Sequence, residues 1–260
     1  MSFHGCRFFC LALALLLLTP FLFADDVPNN VPNDVGAGVS SSSNSTPTDV
    51  DWNRIIKASS RFLVVQHAFR MATEPGTRSE LKGPFMRDYL SSVRRINGWG
   101  DSDTFLVNYI GHPMMGSVTN YIYIQNTPGG HENEIGKSSK YWKKTIRAMA
   151  YSAAYSAQFE LGPVSEASLG NVGIDYRTMG AVDLVVTPIA GTGWMVAEDV
   201  VDRFLITRIE RLSSSAVLRG TVRILLNPAR AFANLMNGSY PWHRSRPLSG
   251  SVAATLRLGK

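Results

Sequence analysis

Thr104 to Gly130, TFLVNYIGHPMMGSVTNYIYIQNTPGG, runs 27 residues without one Lys, Arg, Asp or Glu. Such a stretch is expected inside a fold, with other elements packed around it, because an element without a charged face has none to give to water. Pro113 divides the reading: proline removes a backbone donor and pushes the preceding residue away from helical angles. The expectation is a short apolar segment over 105–110, then a kink or a restart at His112-Pro113 with Pro113 in the first helical turn, and a helix running to about Gln125. That restart would set Asn108 and His112 at a helix N-terminus, where unpaired amides and the positive end of the dipole gather. Two later uncharged runs, 148–159 and 184–197, are the expected packing partners. Each ends on an acid, Glu160 and Glu198, that a helix can turn inward.

Outward from this centre the punctuation predicts more helices. Asp51 is an N-cap residue for a helix to about Thr73, in which Ile55, Ile56, Phe62, Leu63, Val65, Phe69 and Met71 recur at near-helical spacing. His67 lies in it with no second His or acid three or four residues away, and reads as a polar group at the edge of the core. Gly83-Pro84 opens a second helix to about Ile96. Gly98 and Gly100 flank Trp99, and Asp101 to Asp103 can cap the next element. After a polar loop over 129–140, a helix is expected from Tyr141 to Leu161, stopped by Gly162-Pro163, with Ala148, Ser152 and Ser156 forming a small-residue stripe that lets a neighbouring backbone approach closely. Thr187-Pro188 and Asn227-Pro228 repeat a cap-and-proline device, giving helices to about Arg211 and Met236. The fold class is therefore mainly α, a bundle of about six helices in one domain over 51–236. The last residues, SGSVAATLRLGK, suit either a short C-terminal strand or a disordered end.

The N-terminal part reads as an export signal. Arg7 supplies the positive region, 8–23 the apolar region, and Leu22-Phe23-Ala24 a cleavage site, so 1–24 is the expected signal peptide. An uncleaved anchor is the alternative, although about sixteen apolar residues are short of the roughly 20 that span a bilayer. Residues 25–50 are rich in Pro, Asn, Ser and Gly and read as a disordered linker. Both cysteines, Cys6 and Cys10, fall inside the signal, so the mature chain is expected to have no disulfide and no thiolate ligand. The expected location is the bacterial cell envelope, periplasmic or associated with the outer membrane.

Charge is uneven. From Val201 onward there are ten bases and two acids, an excess larger than the net +6 of the whole chain. A surplus of this kind suits an anionic partner, and for an exported chain that is membrane lipid, not nucleic acid. Arg203, Arg208, Arg219, Arg223 and Arg230 are the expected membrane contacts, with 237–260 a basic tail. Tyr109, Tyr121, Tyr123, Tyr141, Trp142, Tyr151 and Tyr155 suit either a membrane-interface belt or a helical core.

Several motifs in order, Asn108-Tyr109-x-Gly111-His112-Pro113-x-x-Gly116, Gln158-Phe159-Glu160, Ser165-Glu166-Ala167-Ser168-x-Gly170-Asn171, Asp183-x-x-x-Thr187-Pro188-x-x-Gly191, Trp194-Met195-x-Ala197-Glu198-Asp199 and Asn227-Pro228-x-Arg230, resemble a bacterial family of exported proteins known as domain of unknown function 3943. The similarity covers 106–235. It implies an envelope location and a helical domain, with no activity attached. Where that family usually has Gly-Gly this chain has Ala190-Gly191, and where it has Gly-Glu this chain has Ala197-Glu198.

For chemistry, the sharpest constellation is a polar cluster of Asn108, His112, Glu160, Asp183 and Glu198, each at or beside the end of an uncharged run. Buried carboxylates must be paired, metal-bound or protonated. His112 with Glu160, Asp183 and Glu198 is a candidate ligand set for Zn²⁺, Mn²⁺ or Fe²⁺, with His112, Glu160 and Glu198 the catalytic candidates of a metal-dependent hydrolase acting on lipid or cell-wall material. The other reading has the same residues holding helices together in a structural or lipid-binding protein. No Gly-x-Ser-x-Gly elbow, phosphate loop or dinucleotide fingerprint is present.

Overall fold

The computed structural model describes residues 49–73, 77, 84–101, 103–129, 135–136, 138–170 and 180–244. The expected signal, nearly all of the linker, His131 and the terminal strand segment lie outside them. The described residues form a mainly α fold of seven helices and no strand. α1 is Trp52–Thr73 and α2 is Phe85–Val93. A π-helical turn, Val107–Gly111, leads into α3, His112–Gln125. α4 is Ser139–Leu161. α5 is one long helix, Val182–Leu212, with a π-helical turn at Asp202–Ile206. α6 is Ala216–Leu226 and α7 is Pro228–Met236. A single helical turn, Glu166–Leu169, packs against α2.

The uncharged stretch is the hub. α1, α4, α5 and α7 all pack against α3, which is buried almost continuously from His112 to Tyr123. With helices on every side, no register of α3 faces water, which is why its sequence shows no charged stripe. Ile55, Ala58 and Phe62 of α1 and Ala148, Tyr155 and Phe159 of α4 enter the same core.

α3 and α5 cross at backbone contact. A Cβ on Gly116 would overlap the Thr187 carbonyl and stand 3.2 Å from Gly191 Cα, and a Cβ on Gly191 would stand 2.7 Å from Gly116 Cα. The absence of side chains at both positions is what lets the axes meet. The small stripe of α4 closes on the same place: Ser152 Oγ donates to the Gly116 carbonyl at 3.3 Å, and Thr119 Oγ1 donates to Ser152 Oγ at 2.9 Å.

Local signals hold where the expected cap is local. Asp51 Oδ1 accepts from Arg54 N at 3.0 Å as expected, while α4 starts two residues before the expected Tyr141, where Ser138 Oγ accepts from Lys140 N at 3.3 Å. Two expectations fail. Pro113 stands in the first turn of a helix ending at Gln125, as expected, but the chain does not restart there: the π-helical turn opens the hydrogen-bond ladder before it, and the His112 amide is bonded to the Val107 carbonyl five residues back. His112 therefore sits inside a continuous helix and not at a free N-terminus. Likewise Thr187 is not a cap. α5 begins five residues earlier, with Ala181 N and Val182 N donating to the Gly98 and Trp99 carbonyls at 3.1 and 3.0 Å, and Pro188 lies within the helix. α6, capped by Ser215 Oγ at Leu218 N, is a seventh helix beyond the expected six. The domain also continues past Met236: Asn234 Nδ2 donates to the Pro241 and His243 carbonyls at 3.0 and 2.9 Å.

Candidate functional site

α5 carries its acids inward. Asp183, Glu198, Asp199 and Asp202 are buried, while Val185, Ile189, Val200, Phe204 and Leu205 are exposed. The helix thus divides into two polar centres, one at each end, with an apolar back.

The first centre gathers at the start of α5. His112 Nε2 lies 3.6 Å from Asp183 Oδ2, and Thr187 Oγ1 lies 3.4 Å from His112 Nδ1, all of it buried. The 99–104 loop adds two acids that sequence reading treated only as caps. Asp101 Oδ1 accepts from Asn108 Nδ2 at 2.8 Å and from Asp103 N at 2.9 Å, and the Asp101 and Asp183 carboxyls hydrogen-bond each other. Burial, followed by that hydrogen bond and the Asp101 charge, pushes the Asp183 carboxyl up to about 9. Burial works against ionised Asp101 too, but hydrogen bonds from Asp183, Asn108 and the Asp103 amide outweigh it and hold Asp101 below the usual range. Burial also pulls the His112 imidazole down to about 4 despite the Asp101 carboxylate beside it. Glu160, in the last turn of α4, is buried, and burial together with the Glu166 and Asp183 charges raises its carboxyl. Arg70 approaches from α1 and pairs with Glu166.

The second centre lies beyond Gly191. Glu198 is fifteen residues past Asp183 on the same helix, roughly 22 Å along the axis. The structure therefore brings Asn108, His112 and Asp183 together with Glu160 nearby, and leaves Glu198 out. A single His/Glu/Asp site containing all four candidate ligands is not formed. Glu198 instead caps α7: Oε1 accepts from Ala229 N and Trp194 Nε1, both at 2.9 Å, and Oε2 accepts from Arg230 N at 3.1 Å. Asn227, expected to cap that helix, makes no side-chain capping bond. Burial pushes the Glu198 carboxyl up to about 7 against the pull of these donors and of Arg230.

Around Glu198 the internal ion pairs continue. Arg230 meets Asp199 at 2.5 Å and Asp202 at 3.0 Å, Arg244 pairs with Asp202 and, at 3.2 Å, with Glu210, and Arg223 meets Glu210 at 2.6 Å. Tyr141 donates to Asp199 Oδ2 at 2.8 Å. This corrects the expectation that Arg223 and Arg230 contact a membrane, because both are turned inward against acids. Arg203 and Arg208 are exposed, Arg203 with a hydrogen bond to the Ile135 carbonyl, and Arg219 is half-buried near the Ser214 carbonyl. The tyrosines divide similarly. Tyr121, Tyr123, Tyr141 and Tyr155 are core residues, whereas Tyr109 and Trp142 are exposed. His67 is the core-edge residue expected, stacked on Phe159 and donating to the Val164 carbonyl at 3.2 Å.

The class defined by this architecture is an all-helical bundle with an acid-rich, histidine-containing centre at one end of its longest helix and an ion-pair network at the other. No family model, curated protein or solved structure matches the chain.

Proposed function

We propose that this is an exported component of the bacterial cell envelope, with a structural or lipid-binding role, that rests the outer face of α5 against a lipid surface. The observation that carries the reading is the inverted polarity of that helix. Ile189 and Phe204 are 60% and 65% exposed while all four acids of its first 21 residues are buried. In water the arrangement would be reversed, and a contiguous apolar face of this kind marks a contact with lipid or protein. α5 has the length and composition of a membrane-crossing helix. The π-helical turn packs beside its first half, and it and the two residues before it add exposed Phe105, Leu106, Tyr109 and Ile110. At the other end of the face, Arg203, Arg208 and Arg211 are exposed, a charge complement to anionic headgroups. The export signal read in residues 1–24 agrees with this location.

The test is fractionation of the full chain expressed with its own leader. Membranes are washed with high salt and then with alkaline carbonate, and Ile189→Glu/Phe204→Glu is run beside the wild type. The wild type should stay with the membranes through the salt wash and the double variant should leave them with unchanged helicity. A wild type that is soluble and monomeric on lysis, or a double variant held as firmly, refutes the reading.

A further inference from the structure

We infer that Asp103, His112 and Asp183, with Asn108 and Asp101 around them, form a binding site for one divalent transition-metal ion. One ligand atom from each of the three lies within 4.8 Å of the other two. The His112 Nε2 to Asp183 Oδ2 separation of 3.6 Å is too long for a hydrogen bond. It matches the edge of a tetrahedron, since donors about 2.1 Å from a central ion stand roughly 3.4 Å apart.

Independent of the carboxylates, Asn108 points to a cation. Its side chain is buried, with 5% exposure, and Nδ2 is committed to Asp101 at 2.8 Å, which holds the amide in the cluster. Its carbonyl oxygen Oδ1 nevertheless has no hydrogen-bond partner among the described residues. Buried acceptors left without donors are uncommon, and a hard or borderline cation is the ligand that satisfies several of them at once.

The group behind the histidine fits as well. When Nε2 of a histidine ligates a metal, its other ring nitrogen carries the proton and needs an acceptor. Thr187 Oγ1 stands 3.4 Å from Nδ1, on the α5 turn that the Gly116–Gly191 crossing presses against α3. One imidazole with carboxylate and amide oxygens is the donor set of Mn²⁺, Fe²⁺ or Zn²⁺, and Asp103 is the exposed member of the set.

Mn²⁺ is the probe, because thiols bind it poorly and Cys6 and Cys10 then do not compete. The full chain, purified with chelator and dialysed, is titrated with Mn²⁺ while paramagnetic resonance follows the free ion and pulsed spectra detect imidazole nitrogen coupled to the bound one. One bound Mn²⁺ per chain with a nitrogen coupling is expected. His112→Gln should abolish the coupling, and Asp103→Asn should weaken binding about tenfold or more. Asp103 is at the surface, so this variant keeps the fold even if His112→Gln does not. Failure to bind at millimolar Mn²⁺, a bound ion without nitrogen coupling, or affinity unchanged in Asp103→Asn overturns the inference.

Discussion

Replacing Gly116 with alanine tests the α3–α5 crossing on which both polar centres depend. The added methyl would overlap the Thr187 carbonyl oxygen and stand 2.8 Å from its carbon. Those atoms are backbone and cannot turn aside, so the helices must part by roughly 1 Å to reach ordinary van der Waals separation. A gap of that size forfeits a quarter to a half of the dispersion energy across the seam, and overpacking of this kind costs about 1–3 kcal/mol. The Gly116 carbonyl also accepts from Thr119 Oγ1 at 2.8 Å and from Ser152 Oγ at 3.3 Å. Straining these buried bonds adds about 1 kcal/mol each, giving a total of about 3–5 kcal/mol. For a domain of this size the melting temperature should fall by about 10 °C. The control is Gly193→Ala, two residues from Gly191 on the same helix, where a Cβ meets nothing within 4 Å. There alanine's greater helix propensity should stabilise by about 0.5–1 kcal/mol. Both variants are measured by urea and thermal unfolding followed by circular dichroism. Equal melting temperatures for Gly116→Ala and Gly193→Ala would refute the backbone contact.

The second centre supports three further outcomes. Glu198→Ala leaves two first-turn amides of α7 and the Trp194 N–H without acceptors and should cost about 3 kcal/mol by urea unfolding. Glu198→Gln keeps one accepting oxygen and should cost less than Glu198→Ala; equal losses would count against capping. The same residue sets a pH slope. Its folded pKa of about 7 stands above the ordinary 4.5. The folded state therefore holds an extra proton between these values, and stability falls as pH rises through that window by up to about 3 kcal/mol. Subtracting the curve of Glu198→Gln isolates this slope, and a difference that rises with pH from 5 to 7 would contradict it. Arg230→Ala takes the guanidinium away from Asp199 and Asp202 and should destabilise by about 3–5 kcal/mol, whereas an Arg230→Met, Asp199→Asn, Asp202→Asn triple variant should recover most of that loss. A triple variant no better than Arg230→Ala would show that the guanidinium is not compensating those acids.

Sequence alone determined that the chain is helical and where most helices stop and start, because those decisions rest on neighbours in the chain: Asp51 as a cap, Gly162-Pro163 as a terminator, and an uncharged 27-residue run as the buried hub. The Gly116 and Gly191 positions were visible in the motifs, though not what they touch. Whether Pro113 breaks a helix and whether Thr187 starts one are not local questions. A π-helical turn absorbs the first, and the Gly98 and Trp99 carbonyls, some eighty residues upstream, supply the cap that displaces the second. The candidate site divided for the same reason. Asp183 and Glu198 share a helix, so the helical rise keeps them apart whatever their common character, while Asp101 and Asp103 join His112 only because their loop caps α5. The basic surplus was legible as a count, but which arginines meet water and which meet Asp199, Asp202 and Glu210 depends on the packing of α5, α6 and α7, because a charge pair forms only where tertiary contacts bring both partners out of water together.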